Sequence, residues 1–168
     1  MSQIGIESVK ELRTLTGAGI MDCKRALEEV GGEVSKAVEI LRERGIAKAD
    51  NKAGRETLEG VVESYVHSGN RIGAMVELNC ETDFVARTPE FRKLAHDLAM
   101  QVAAMSPLYV DRMQAEQERS DDPNAACLLE QEFIKDSGKT IQDLVNDTVA
   151  RVGENIKIRR FERFALGE

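Results

Sequence analysis

Apolar residues recur at helical spacing in three short stretches at the start of the chain. The three stripes are Ile6, Val9 and Leu12, then Cys23, Ala26, Leu27 and Val30, then Val34, Ala37, Val38 and Leu41. Gly17, Gly31 and Gly45 follow these stripes, and each predicts the end of a helix. Because a short helix with one apolar stripe is not stable alone in water, we expect residues 1–45 to pack as a three-helix bundle.

After the bundle the period of the pattern changes. Residues 46–56 are polar and cationic, which predicts a solvated linker that is helical at least at its start. Every second residue is then apolar in the series Ile72, Ala74, Val76, Leu78 and Cys80. This alternation predicts a strand with one buried face. Residues 60–67 are rich in β-branched and aromatic side chains and predict its partner strand, with a hairpin turn at Ser68-Gly69-Asn70.

Two longer helices are predicted further along the chain. The first begins at Thr88 as N-cap with Pro89 in the first turn, and its apolar stripe runs through residues 91–105. The second has Thr140 as N-cap and Asp143 three residues later, which is an imperfect capping box. We expect the first of these helices to lie on the sheet.

The remaining segments complete the predicted architecture. Residues 113–124 are polar and acidic and predict a mobile stretch, whereas Leu128, Leu129 and Phe133 predict another helix. Residues 156–159 alternate as a third strand, with a β-bulge expected near Arg160. The fold class is therefore α+β: a helical bundle, a linker at 46–56, and a core at 57–168 with a three-stranded antiparallel sheet packed against helices.

Composition narrows the possible functions. The 168 residues are 42% hydrophobic and 32% charged, with a net charge of −7 and no Trp, which argues against nucleic acid as a direct partner. The sequence contains no run of 18 apolar residues, so no membrane-spanning segment is predicted. Its first residues lack the basic start and apolar region of a secretory signal. Cys23, Cys80 and Cys127 are far apart and predict buried thiols in a reducing cytoplasm rather than zinc ligands or disulfides.

The candidate catalytic groups are weak. Ser137-Gly138-Lys139-Thr140 is similar to the end of a phosphate-binding loop, but Phe133 stands where that loop needs a glycine, and a turn before a capped helix fits better. Cys80 and His96 could form a nucleophile and base, although no third residue is identified that would orient them. His67 is expected to be exposed beside the hairpin turn. We therefore predict no catalytic residues, no cofactor and no metal ion.

The segment at 79–87 joins a strand end to a capped helix and admits two interpretations. In the first, Thr82 and Asp83 cap a turn while Phe84 and Val85 fill the core. In the second, the segment is a protruding wedge, an apolar tip with an acidic neighbour, that inserts into another protein.

Three motifs, in order along the chain, resemble those of bacterial elongation factor Ts. The first comprises residues 9–13 (VKELR) and 16–27 (TGAGIMDCKRAL), the second residues 76–86 (VELNCETDFVA), and the third residues 153–156 (GENI) and 158–161 (IRRF). Three long motifs in the same order are far more specific than one short pattern.

The resemblance implies a guanine-nucleotide exchange factor for the GTPase elongation factor Tu, and a bundle similar to ubiquitin-associated domains. It implies that Thr82, Asp83, Phe84 and Val85 enter the GTPase near its magnesium site. The amino-terminal residues that it implies as further partner contacts are Val9, Leu12, Arg13, Thr16, Gly17, Ala18, Gly19 and Met21.

Long members of this family carry a second core unit, whereas this chain resembles a short form with one. Because half a core leaves a sheet face or edge without its partner, we expect a homodimer through the core. Two other functions stay open. The bundle could bind nascent chains or the ribosome, which would leave the Thr82–Val85 segment without a role, or the protein could be a thiol enzyme that uses Cys80.

Overall fold

The computed structural model of the chain describes residues 4–118 and 126–168. Its helices are α1 (Ile6–Thr16), α2 (Ile20–Glu29), α3 (Val34–Asp50), α4 (Asp83–Ala86), α5 (Pro89–Met105), α6 (Arg112–Gln117) and α7 (Ile141–Val152). Its strands are β1 (Glu59–Val66), β2 (Ile72–Cys80), β3 (Glu132–Phe133), β4 (Asp136–Thr140) and β5 (Ile156–Ala165). In this part of the chain, no helix combines the length and the apolar character that crossing a bilayer requires.

Helices α1 to α3 form the predicted bundle around a small core of Leu12, Cys23, Ala26, Leu27 and Ala37. The prediction that α3 ends at Gly45 is wrong, because this helix continues to Asp50. Gly45 is buried, and a Cβ built on it would lie 3.6 Å from the Ala150 Cβ of α7. That distance is an ordinary van der Waals contact, so Gly45 packs beside α7 within the helix and does not end it.

The main sheet has the strand order β1-β2-β5 and is antiparallel throughout. Gly69 and Asn70 have positive φ in the turn between β1 and β2, as the hairpin prediction requires. The register of β5 shifts between Glu77, which faces Arg160, and Leu78, which faces Ile158. Arg159 is therefore the extra residue, which confirms the predicted β-bulge to within one position.

The inner face of the sheet packs on α5, which also contacts α7, and these elements form the main core. Val76 and Leu78 of β2 are fully buried there with Phe91 and Leu98 of α5. The predicted N-caps are confirmed, since the side chain of Thr88 accepts from the Phe91 N–H, and Thr140 and Asp143 form a complete capping box. The α+β architecture is therefore as the sequence predicted.

The segment after α6 differs from the prediction. Leu128–Glu130 forms a short 3₁₀ turn, and Phe133 lies in a two-stranded hairpin of β3 and β4 instead of a helix. The buried Gln101 side chain of α5 donates to the Glu132 carbonyl at 3.0 Å and accepts from the Ile134 N–H at 3.0 Å, so it satisfies backbone groups that a helix would have paired internally. Within the stretch predicted to be mobile, Arg112–Gln117 is helical, and residues 119–125 lie outside the described residues.

Candidate partner-binding site

The segment between β2 and α5 is a single helical turn held at its start by Thr82. The Thr82 side chain accepts a hydrogen bond from the Val85 N–H, and α4 follows over Asp83–Ala86. Asp83 forms a 2.7 Å ion pair with Arg87 on the surface of this turn. The next N-cap, Thr88, follows at once, so the chain passes from β2 through α4 into α5 with almost no loop.

The adjacent residues Phe84 and Val85 of α4 differ sharply in burial. Val85 is 8% exposed and belongs to the main core together with its neighbour Ala86. Phe84 is 78% exposed, although it is the largest side chain of the turn. Val85 therefore fills the core, as the first interpretation expects, and Phe84 protrudes, as the second expects, whereas insertion into another protein stays a prediction.

A carboxylate from the far end of the chain holds the start of this turn. Glu154, in the corner between α7 and β5, accepts from the Thr82 N–H at 2.9 Å and from the Thr82 hydroxyl at 2.6 Å. The two residues are 72 positions apart. No feature of the sequence predicted this contact, because nothing in either motif identifies the other as its neighbour.

The same corner also contacts the linker that follows α3. The Asn155 N–H donates to Glu81 at 2.7 Å, and this hydrogen bond, assisted by the charge of Arg55, holds the pKa of Glu81 below its ordinary value. The side chain of Asn155 is buried and donates to the carbonyls of Ala53 at 3.3 Å and Arg55 at 2.8 Å. Lys52 donates to the carbonyl of Gly153. The corner thus connects the linker, the end of β2 and the start of α4.

The second group of predicted contacts lies in and beside the turn between α1 and α2. Gly17 adopts a left-handed conformation with φ of 68° and ends α1. The Arg151 side chain of α7 lies over this glycine and donates to the Thr16 carbonyl at 3.1 Å, so a side chain at position 17 would collide with it. On the bundle, α3 contributes a further contact to α7, a 2.9 Å ion pair between Arg42 and Asp143.

The predicted amino-terminal residues differ in their exposure. Leu12 is fully buried in the bundle core, and Val9, Thr16 and Ala18 are partly buried. The exposed members of the group are Arg13, Gly17, Gly19 and Met21. These four are accessible at the surface, whereas Leu12 is part of the core of the bundle.

The candidate catalytic groups are not arranged for chemistry. Burial raises the pKa of the Cys80 thiol to about 11, and the thiol donates to the Thr82 carbonyl at 3.2 Å. At neutral pH roughly one such thiol in 10⁴ is ionised, and the thiolate is the nucleophile. His96 pairs with Glu63 at 3.2 Å. Ser137–Thr140 lies in β4 and caps α7, and among the described residues no group of His, Cys, Asp and Glu is placed to hold a metal ion.

Comparison with known proteins gives consistent matches over nearly the whole chain. A family model described as "Elongation factor TS" matches residues 7–123. Elongation factor Ts of Desulforamulus reducens is 48% identical over 198 aligned residues, which cover 100% of this chain and 91% of the relative. Elongation factor Ts of Syntrophomonas wolfei is 49% identical over 195 aligned residues, which cover 98% of this chain and 91% of the relative. Elongation factor Ts of Thermotoga maritima is 47% identical over 194 aligned residues, which cover 99% of this chain and 98% of the relative.

Proposed function

The chain belongs to the elongation factor Ts family, a family of translation elongation factors, and from this premise we propose that it is the guanine-nucleotide exchange factor for elongation factor Tu in the cytoplasm. The observation that carries the proposal is the exposure of Phe84. An apolar aromatic side chain that is 78% exposed on a short helical turn is costly to leave in water, and it is suited to burial in a partner. It lies in the segment that the resemblance assigns to the GTPase contact.

Exchange needs differential binding and no covalent chemistry. The factor accelerates release if it binds the nucleotide-free GTPase more tightly than the nucleotide-bound form. By linkage, binding of the factor then lowers the affinity of the GTPase for its nucleotide by the same ratio. Weakening the nucleotide about 10⁴-fold requires roughly 5.5 kcal/mol of differential binding. Burying one Phe supplies at most about 3 kcal/mol, so Phe84 must act together with other contacts.

We assign the polar part of this work to Asp83. In the free protein its carboxylate pairs with Arg87 at the surface, and such exposed pairs are worth about 0–1 kcal/mol. The carboxylate is therefore readily available to a partner. Placed near the magnesium site of the GTPase, it would disturb the polar network around the ion. Loss of the ion removes the largest positive charge beside the phosphates, so GDP leaves faster.

The decisive experiment mixes this protein with elongation factor Tu from the same organism, loaded with fluorescent GDP, and follows the fluorescence after adding excess unlabelled GDP. We expect release to accelerate with substoichiometric factor, because an exchange factor is regenerated in each cycle. A control without factor gives the spontaneous rate. If release stays at that rate with excess factor, the proposed function is wrong.

We further propose that the protein forms a homodimer through the outer face of its sheet. That face carries an apolar patch at one end, formed by Val62, Val66, Met75, Phe164 and Leu166, all of them exposed. The resemblance to a short form with one core unit supports a second copy as the partner, since two sheets can pack face to face over such patches. Light scattering should then give twice the monomer mass of 18.6 kDa at micromolar concentration.

A charge in the patch tests this interface. Phe164→Glu should give a monomer without unfolding the chain, because the side chain is 68% exposed. The matched control is Leu108→Glu, at another exposed apolar position outside the patch, which should leave the dimer intact. A parent protein that is monomeric at micromolar and higher concentrations contradicts the proposal.

A further inference from the structure

We propose that Glu154 is a positioning residue for exchange, which holds the start of α4 so that Phe84 projects in the orientation the partner meets. This inference rests on the proposed function and adds a role for the third motif of the sequence. Glu154 lies in that motif, and its two carboxylate oxygens receive the two donors of Thr82, the N–H at 2.9 Å and the hydroxyl at 2.6 Å. Its contact is with the residue that caps α4.

The turn needs such support because it is short. Helix α4 has four residues, and forming a first helical turn fixes several backbone angles for one hydrogen bond. The backbone bonds that close it are long, with Ala86 N to Thr82 O at 3.3 Å and Arg87 N to Phe84 O at 3.3 Å. Burial of Val85 anchors one side of the turn, but the exposed Phe84 contributes little to its order. The orientation of Phe84 therefore depends on how firmly Thr82 is held.

The corner that carries Glu154 is itself fixed from two sides. The neighbouring Asn155 is 4% exposed, and it donates to Glu81 through its N–H and to the linker carbonyls through its side chain. A carboxylate on a rigid corner restrains its partner, whereas one on a mobile loop would move with it. Glu154 thus links α4 to a fixed part of the core.

The chemistry of the contact predicts a graded series of variants. Glu154→Ala removes both acceptors, and Glu154→Gln keeps only one acceptor oxygen for the two Thr82 donors. On the other side, Thr82→Val loses the hydroxyl, whereas Thr82→Ser retains it. We expect the protection of the α4 amides from hydrogen exchange to fall most in Glu154→Ala, less in Glu154→Gln and Thr82→Val, and least in Thr82→Ser.

Amide hydrogen exchange in the free protein tests the restraint without any partner. In Glu154→Ala, the amides of Val85, Ala86 and Arg87 should exchange about tenfold faster, because local opening of the turn becomes easier. The amides in the middle of α5 should keep their protection. Unchanged protection in α4 would overturn the proposal, and so would a uniform loss of protection across the core, which indicates a general stability effect.

Kinetics on elongation factor Tu test the functional consequence. Glu154→Ala should raise the half-saturating factor concentration about tenfold, because fewer molecules hold Phe84 in the competent orientation. The matched control Glu132→Ala removes an exposed glutamate of β3 and should behave as the parent. Combined with Phe84→Ala, Glu154→Ala should cause a smaller loss than it causes in the parent, since part of its effect acts through Phe84. Losses that multiply would refute the positioning role, whereas a parent protein without exchange activity would refute the proposed function and leave the hydrogen-exchange result to decide the restraint.

Discussion

Replacing Phe84 with alanine separates partner binding from folding. A Phe side chain can bury about 200 Å². Because Phe84 is 78% exposed, only about 45 Å² of this is buried within the protein, worth about 1 kcal/mol at 25 cal/mol per Å². The melting temperature of Phe84→Ala should therefore fall by only about 2–4 °C. Phe91, which is fully buried seven residues later, is the calibrating variant, since Phe91→Ala should cost about 3–5 kcal/mol and lower the melting temperature by about 6–20 °C.

The effect on exchange should be much larger than the effect on stability. If Phe84 becomes buried in the partner when the nucleotide leaves, its loss removes about 2–3 kcal/mol from that state and slows exchange roughly 30- to 160-fold. Release of fluorescent GDP from elongation factor Tu measures this rate. Leu108→Ala, which truncates another exposed apolar side chain away from α4, is the matched control and should keep the parent rate. A Phe84→Ala protein that melts far below the parent but, while folded, exchanges GDP at the parent rate would show that Phe84 supports the fold and not the partner contact.

Two further predictions concern buried polar groups. Burial acts to raise the pKa of Asp97, which is 2% exposed, but hydrogen bonds from Lys135 and Lys93 outweigh this effect and the pKa is lowered. A lowered pKa in the folded state gives stability that is present above the unfolded value of about 3.9 and lost as the pH falls through the folded value. The free energy of unfolding of the parent, measured with urea, should fall as the pH drops below about 4, and Asp97→Asn should make this dependence on pH less steep. An equally steep dependence in both proteins contradicts the assignment. Cys80→Ala should retain exchange activity, because the Cys80 thiol is buried and protonated at neutral pH. Loss of exchange activity in a folded variant would instead favour the hypothesis that the protein is a thiol enzyme.

Local patterns predicted the elements whose causes are local. Alternation over β2 fixed its buried face because a strand must turn every second side chain inward. The caps at Thr88 and Thr140 were predictable because a cap is completed within three residues. Even the β-bulge in β5 was indicated, since Phe161 is out of phase with Ile156 and Ile158 and could not face the core with them in a regular strand.

The wrong predictions concern residues whose role is set by distant partners. Gly45 follows an apolar stripe as a helix-ending glycine would, but it is buried beside Ala150, about a hundred residues later, and α3 continues past it. Phe133 belongs to an apolar group that predicts a helix, yet the buried Gln101 of α5 satisfies the backbone of a hairpin at that position. In both places tertiary contacts overrode the local signal.

The candidate site shows the same division. The sequence singled out the segment at 79–87 by its composition and its place between a strand and a capped helix, and the resemblance narrowed it to Thr82–Val85. It did not determine which of Phe84 and Val85 faces outward, because a single helical turn can present either residue to the core. The contact between Thr82 and Glu154 was also unpredictable, since one sequence without related sequences carries no information on pairs 72 residues apart.

The separation of Thr82 from Glu154 has a consequence for the order of events during synthesis. The ribosome adds about 5–20 residues per second, so roughly 4–14 s pass between the translation of Thr82 and that of Glu154, which lies 72 residues later. Strand β5, which completes the sheet beside β2, is made later still. A growing chain therefore carries Phe84 on a turn that Glu154 does not yet hold, and this contact can form only after the corner between α7 and β5 has left the ribosome.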